Sequence, residues 1–364
     1  ALFEVFGPSV SFASTKHQTG HLLGTAGAQE AIFCLKALAE ERVPANLSIQ
    51  EPDPLLAMQP STGSDFTLRS GPRIALSNSF AFGGSNACLS FAKSSPNSRS
   101  SLGSGRRRLD RRYQVQAISL WCPEYPGVNA FRERTAASTQ GETLAPPAGL
   151  LPSRVRGRAS TLTRLFAQVT EDLLSQQPIH DQEVSLVFGS AYGEMTTTTK
   201  LLSSLGEDVI LSPLRFQTSV HNAAAGQISI AIEHRGFATS LAAGNDTFAM
   251  ALVEAQAWID CHGGNVLVVV AEEPLPEPFT QEQRIAPLAI GLRLGPPDQV
   301  GSEWGSLAAV QPSEQELTPS PQVGSLFTRW GESAPCWGLS LIDALVTRKK
   351  GTHALAPCWQ VDLC

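Results

Sequence analysis

The sequence predicts an α/β fold, built as two α/β units joined by a flexible linker. Three observations lead there. Short apolar runs alternate with stretches of helical periodicity in both halves of the 364-residue chain. The run Val266–Ala271 is apolar at every position and lies next to a helical pattern, as a strand does in a sheet covered on both faces. Between the halves, residues 94–112 (SSPNSRSSLGSGRRRLDRR) are Ser, Gly and Arg with almost nothing to bury. Composition agrees: 42% hydrophobic and 16% charged residues supply real cores and exclude disorder of the whole chain. A net charge of −6 gives no general footprint for nucleic acid or anionic membrane. No apolar run approaches the ~18 residues of a membrane span. The start, ALFEVFG, has no basic segment of the kind that opens a signal peptide. Seven cysteines without a CxxC pair argue against a disulfide scaffold and a zinc site. The expectation is a soluble, cytoplasmic protein without a metal.

Taken in order, residues 1–93 read as a strand (SVSFAST), a long helix from His21 to Glu41, and a strand pair, RIALSNSF and ACLSFAK, around a turn at Gly83–Gly84. The linker, 94–112, follows. Residues 113–276 resume the α/β pattern, with a helix over Ser160–Gln176, a strand Val184–Gly189, a helix Asp246–Cys261 and the strand Val266–Ala271. Residues 277–364 read as a loop-rich extension. It has a weak strand at Leu288–Leu294 and a short helix at Leu339–Thr347.

The segment Ser14-Thr15-Lys16-His17-Gln18-Thr19-Gly20-His21 is placed where a strand ends and a helix begins. Helix starts expose unpaired N–H groups and positive potential, so polar groups there can face a ligand. Gly24, Ala26, Gly27, Ala28 and Ala31 fill the first half of the following helix, and such small residues predict a deeply buried one. A histidine there is by default a hydrogen-bonded core residue. His21 has more context than that: Lys16 precedes it, Glu30 follows on the helix, and Asn78-Ser79-Phe80-Ala81-Phe82-Gly83-Gly84-Ser85-Asn86 comes later.

Together STKHQTGHLLGTAGAQEAIF and NSFAFGGSNA resemble the C-terminal part of the β-ketoacyl-acyl-carrier-protein synthases, thiolase-fold condensing enzymes of fatty-acid and polyketide synthesis. Ala81 stands where that family usually has Gly. The resemblance implies that His21, as a neutral ring, donates a hydrogen bond to a thioester oxygen as charge develops there. It implies that Lys16 and Glu30 support that histidine and ordered water; read from the residues alone, they are equally a structural ion pair. Phe82 matches a gating phenylalanine, and Gly83 and Gly84 let backbone N–H groups approach the thioester. Without the resemblance the two glycines make a hairpin turn. The family's nucleophilic cysteine and its second histidine, in an HGTGT-type motif, belong upstream of the matching segment, so residues 1–93 carry half a catalytic site. Cys34 and Cys88 read as buried free cysteines, not substitutes.

Within 113–364, LPSRVRGRASTLTRLF, LVFGSAYGEM, NAAAGQISI and TSLAAGNDTFAMALVEAQAW resemble the N-terminal half of a β-ketoacyl synthase, in particular the synthase-like chain-length-factor subunits. Aligning AMALVEA with the family helix puts Asn245 at the nucleophile position, between Gly244 and Asp246. Neither Asn nor Asp forms a thioester, and both read as helix N-caps. Cys261 falls at the wrong end of that helix, and His221 reads as a satisfied structural histidine. A C-terminal synthase half thus precedes an N-terminal-like half. The resemblance implies a thiolase-like αβαβα architecture with its half-units in permuted order.

The implied activity of the complete enzyme is that of a 3-oxoacyl-acyl-carrier-protein synthase, condensing malonyl carrier protein with an acyl thioester. This chain alone is expected to be inactive. The other reading is a non-catalytic chain-length-factor-type subunit that dimerises with a separate synthase. The implied partners are acyl carrier protein and a synthase partner or second copy, with neither nucleic acid nor membrane. No cofactor is implied beyond phosphopantetheine on the carrier.

Overall fold

The structure is a computed structural model describing residues 2–7, 10–51, 53–62, 66–67, 74–82, 86–93, 111–137, 145–176, 184–205, 212–281, 285–297, 299 and 303–364. Gly83, Gly84 and linker residues 94–110 lie outside these. The described residues group into two units, one drawn from Ala1–Ala81 and Asn86–Gly105, the other from Phe82–Ser85 and Arg106–Cys364.

In the first unit, α1 (Leu2–Phe6), α2 (Lys16–Thr19) and α3 (Ala26–Glu40) precede a short pair, β1 (Arg42–Val43) and β2 (Phe66–Thr67), and a hairpin, β3 (Ile74–Phe80) and β4 (Asn86–Ala92). The hairpin strands are antiparallel from Ile74↔Ala92 to Phe80↔Asn86, as their alternation and glycine turn predict. The strand expected over SVSFAST does not form: residues 10–15 have no regular structure, because none of the described residues pairs with them as a neighbouring strand. The helix expected from His21 starts as a 3-10 turn, Leu23–Thr25, and becomes α-helical at Ala26. Nor is it deeply buried. Ala26 and Leu38 are its buried residues, while Ile32 and Leu35 are 56% and 52% exposed. A two-stranded hairpin covers one face of a helix and leaves the other open. Cys88 is exposed and Cys34 half-buried, against the expectation of burial, because β4 presents most of its side chains to solvent.

The second unit opens with β5 (Tyr113–Trp121), α4 (Val128–Glu133), α5 (Ser153–Arg156), α6 (Thr161–Gln176), β6 (Val184–Gly189), α7 (Met195–Ser203), α8 (Pro213–Gln217), α9 (Ala223–Ala231) and β7 (Ala238–Leu241). It continues with α10 (Thr247–His262), β8 (Asn265–Glu272), β9 (Leu288–Gly295), β10 (Ser306–Leu307), β11 (Gln311–Pro312), α11 (Pro321–Trp330), α12 (Ala334–Thr347), β12 (Gly351–Ala356) and β13 (Trp359–Leu363). The strands form one mixed sheet in the order β11-β13-β10-β5-β9-β8-β6-β7, with β12 on β13. β7 and β8 flank β6 in parallel, and β9 runs antiparallel to both β8 and β5.

Period-two alternation gives the sheet two apolar faces. Val266, Val268 and Val270 of β8 join the core under α10 and α12; Leu267, Val269 and Ala271 join the core under α6 and α9. In β5 a bulge between Val115 and Ala117 resets the alternation, so Tyr113 and Val115 share a face with Ile118 and Leu120. α6 buries Leu162, Leu165, Phe166, Val169 and Leu173 along one stripe.

Residues 277–364, expected to be loop-rich, hold much of this core. The strand read as weak at Leu288–Leu294 is a central strand, buried at all eight positions. The helix read from Leu339 begins at Ala334, and α11 and the β12–β13 hairpin were not expected. Among the described residues no helix is long and apolar enough to cross a membrane.

Candidate active site

The motif around His21 is built on short elements. α2 has four residues and ends at Gly20, whose φ of 72° suits glycine and turns the chain into His21. The Leu23 N–H donates to His21 Nδ1 at 3.2 Å. With Nδ1 accepting, the neutral ring carries its proton on Nε2, a donor facing away from its own backbone. Leu23 itself has φ 51°, a left-handed value that costs a non-glycine residue about 1–2 kcal/mol. Backbone strain of this kind concentrates at functional sites. His21 is exposed.

Lys16 Nζ pairs closely with Glu30 Oε1, as the spacing across the turn allows. Their side chains are 40% and 19% exposed, and a pair this open contributes under about 1 kcal/mol. Its effect is to place the ammonium. Cys34, one turn beyond Glu30, is no thiolate: burial first and the Glu30 charge second push its pKa up.

The second unit places a polar cluster where the parallel strands end, the edge at which open α/β sheets form crevices. Gly189 closes β6 because α10 passes there: a Cβ would lie 2.9 Å from Thr247 Cγ2 and 3.0 Å from Val270 Cγ2. Ser190 Oγ donates to Glu272 Oε2 at 3.0 Å and accepts the Gly193 N–H at 2.8 Å, while the Ala191 N–H donates to Glu272 Oε1. Burial outweighs these bonds, and the Glu272 carboxyl is pushed up to about 8. Glu194 accepts from Ser160 and Thr163, both at 2.8 Å, and is pushed up to about 7, by burial and then by the Glu273 charge. Glu273 is likewise raised by burial and accepts the Leu162 and Thr196 N–H groups, each at 3.2 Å. None of these three acids was singled out from sequence. Glu272 and Glu273 show in the sequence as a charged pair closing an apolar strand; Glu194, ahead of α7, has no such signal.

His221 is a satisfied structural residue, its Nε2–H donating to Ser190 O at 2.7 Å. Phe82 belongs to this unit. Its ring meets Phe216 edge-on at 6.0 Å, and its carbonyl accepts from Asn222 Nδ2 at 2.7 Å.

Asn245 lies in the 3-10 turn Gly244–Asp246 ahead of α10. Asp246 stands at the N-cap position of α10, as the sequence reading has it, but makes no side-chain cap bond there. Thr247 Oγ1 holds the preceding turn, accepting the Ala243 N–H at 2.9 Å and donating to Gly244 O at 2.7 Å, while Asp246 keeps near-helical backbone angles. Asn245 Nδ2 instead donates to Glu332 Oε1 at 3.1 Å. Cys261 is exposed in the last turn of α10. Cys122 and Cys336 are buried, their thiols pushed up to about 12 and about 11, mainly by burial. Among the described residues no group of His, Cys, Asp and Glu could hold a metal ion.

Residues 131–337 match the model of the β-ketoacyl synthase N-terminal domain, more than half of the chain. The chain belongs to the β-ketoacyl synthase family. Residues 1–50 match that family's C-terminal domain. The mitochondrial 3-oxoacyl-[acyl-carrier-protein] synthase of Arabidopsis thaliana is 48% identical over 86 residues, 23% of this chain and 18% of that protein. The 3-oxoacyl-[acyl-carrier-protein] synthase 2 of Synechocystis sp. is 41% identical over 85 residues, 23% of this chain and 20% of that one. The matching stretch thus spans about a fifth of these synthases' length.

The ketosynthase fold is shared more widely. A structure of the PfaC keto synthase–chain length factor matches 96% of this chain and 53% of its own, with TM-score 0.63 and 14% identity. A chain from the ketosynthase ApeO in complex with its chain length factor ApeC, from Xenorhabdus doucetiae, matches 69% of this chain and 99% of its own, with TM-score 0.52 and 20% identity.

Proposed function

We propose that the chain belongs to a decarboxylative condensing system of fatty-acid or polyketide synthesis, with the tail of a 3-oxoacyl-acyl-carrier-protein synthase fused to a chain-length-factor-like unit. The observation that carries the reading is His21, whose Nδ1 is occupied by the Leu23 N–H so that Nε2–H is its free donor. In such a condensation the malonyl thioester loses CO2, and the carbon left behind attacks an acyl thioester held on a cysteine, expelling the thiolate. Negative charge gathers on the malonyl thioester oxygen as CO2 leaves. An Nε2–H within about 3 Å of that oxygen stabilises it and stays neutral in doing so. Lys16, held by Glu30, adds positive potential to the same turn.

The nucleophile is supplied from outside residues 1–364. Between the end of β7 at Leu241 and the start of α10, Asn245 stands in the middle of the turn Gly244–Asp246, and it forms no thioester. Cys122 and Cys336 are too buried and too weakly acidic to serve. Acyl groups arrive on the phosphopantetheine of an acyl carrier protein in the cytoplasm. Arg154, Arg156 and Arg158, around α5, form no ion pair with any described residue and offer that acidic partner a basic surface.

The test is His21→Ala in the synthase that contains this chain. Malonyl decarboxylation and condensation should fall about 100- to 1000-fold; unchanged rates would remove His21 from the chemistry. The second reading, a non-catalytic subunit shaping a partner's acyl tunnel, is favoured by the thiol-free start of α10. Co-expression with a partner synthase should then change product chain length whether or not His21 is present.

A further inference from the structure

We propose that Asn46 and His17 are positioning residues: together they clamp the main-chain N–H and C=O of Ser14 and so fix the helix α2 that carries Lys16 and leads into His21. The inference rests on the reading of Lys16, Glu30 and His21 as condensation machinery.

A four-residue helix does not hold itself in place, and the N-cap of α2, Thr15, makes no side-chain cap bond. What holds the segment comes from the stretch after β1. Asn46, 6% exposed, accepts the Ser14 N–H on Oδ1 at 3.0 Å and donates from Nδ2 to Ser61 O at 3.3 Å. Its own N–H also donates to Ser61 O, at 2.7 Å, and the Ser61 N–H donates to Phe12 O at 2.9 Å. One buried amide therefore ties residues 12–14 to residue 61 with both its ends in use. At the other main-chain group of the same residue, His17 Nδ1–H donates to Ser14 O at 3.0 Å, and its Nε2 accepts the Leu47 N–H at 3.2 Å. Both main-chain groups of Ser14 are thus held by side chains anchored at adjacent residues, 46 and 47.

From Ser14 the order passes along the chain. Thr15 O accepts the Gln18 and Thr19 N–H groups at 2.9 and 3.1 Å, and the Gly20 N–H closes on Lys16 O at 2.9 Å. Gly20 then delivers His21. Releasing Ser14 frays α2, parts Lys16 from Glu30 and loosens the Leu23–His21 bond. The geometry also gives a handle: His17 carries its proton on Nδ1 and His21 on Nε2, so neighbouring histidines hold opposite tautomers.

The experiment uses the full chain with 15N-labelled histidine, read by long-range 1H–15N spectra of the imidazoles at neutral pH. The native protein should show a pure Nδ1–H tautomer for His17 and a pure Nε2–H tautomer for His21. In Asn46→Ala, His21 should average between tautomers, and Ser14 amide exchange should rise about tenfold or more. His17→Phe, which keeps a ring but removes both bonds, should do the same to His21. His17→Gln, which keeps an acceptor for Leu47, should restore part of the native signal. Glu30→Gln breaks the ion pair and should leave Ser14 exchange unchanged. A single-tautomer His21 in folded Asn46→Ala, or in His17→Phe, would overturn the proposal. If Asn46→Ala does not fold, His17→Phe decides alone, because His17 is exposed. The spectra do not depend on activity, so the clamp can fail while His21 remains essential to condensation, and the reverse.

Discussion

Glu272 makes the second unit lose stability as pH rises, and Glu272→Gln should remove that loss. The carboxyl is 1% exposed and is pushed from 4.5 up to about 8 by burial, with Glu273 adding to the effect. The sign follows from the direction. A carboxyl whose folded pKa is raised binds a proton in the folded state that the unfolded chain has already released. Its stabilisation is full below the unfolded pKa and is lost as pH climbs through the folded one. At 1.36 kcal/mol per pKa unit, the window from 4.5 to about 8 spans about 5 kcal/mol, of which roughly half falls between pH 5.5 and 7.5.

Glutamine copies the protonated state. Its carbonyl accepts the Ala191 N–H, and its NH2 donates to Ser190 Oγ. Thermal unfolding followed by calorimetry from pH 5.5 to 8.5 at fixed ionic strength should show the wild type losing about 5–10 °C over those two units from this group. Glu194, pushed up to about 7, steepens the fall in both proteins. The Glu272→Gln curve should be flatter by one proton. Parallel curves would mean that Glu272 is ionised in the folded protein and that the burial argument is wrong.

Two further outcomes follow from features of the same unit. Gly189→Ala drives a methyl into Thr247 at the start of α10 and Val270 of β8, and should destabilise the unit by about 1–3 kcal/mol in urea unfolding; a neutral change would show that α10 can retreat. Replacing Arg154, Arg156 and Arg158 together by Glu should weaken binding of acyl carrier protein about tenfold at low salt, with the difference shrinking at high salt. Calorimetric titration at two ionic strengths reads this, and equal affinities would place the carrier elsewhere.

How legible each part was depends on where its constraints lie. β6 reads correctly to the residue because an apolar run bounded by polar segments needs no partner information. β9 was underrated because Gly291 and Arg293 interrupt its apolar pattern. Gly291 is there for α6: a Cβ would lie 2.8 Å from Leu173 Cδ1 and closer still to Val169, and no local pattern carries that fact. The start of α12 was missed for a similar reason. Pro335 and Gly338 look like breakers, yet proline is suited to a first helical turn, and a Cβ at Gly338 would meet the Phe248 ring at 2.7 Å. At the candidate site, Lys16, His21 and Glu30 were singled out through family resemblance, and the structure pairs Lys16 with Glu30. Asn46 and Glu272 were not, since what distinguishes them is a partner 32 residues away in one case and 82 in the other.

The sheet order also sets a schedule for synthesis. β5 is made first in the second unit, yet both its neighbours, β9 and β10, are made after residue 287. Until the ribosome has passed them, which takes on the order of ten seconds or more, Val115, Ile118 and Leu120 have no strand on either side. Meanwhile β6, β7 and β8 can already pair with one another. The nascent chain therefore carries an open apolar edge while residues 122–305 are made. Its yield in a cell should depend on holdase capacity more than its final stability would indicate.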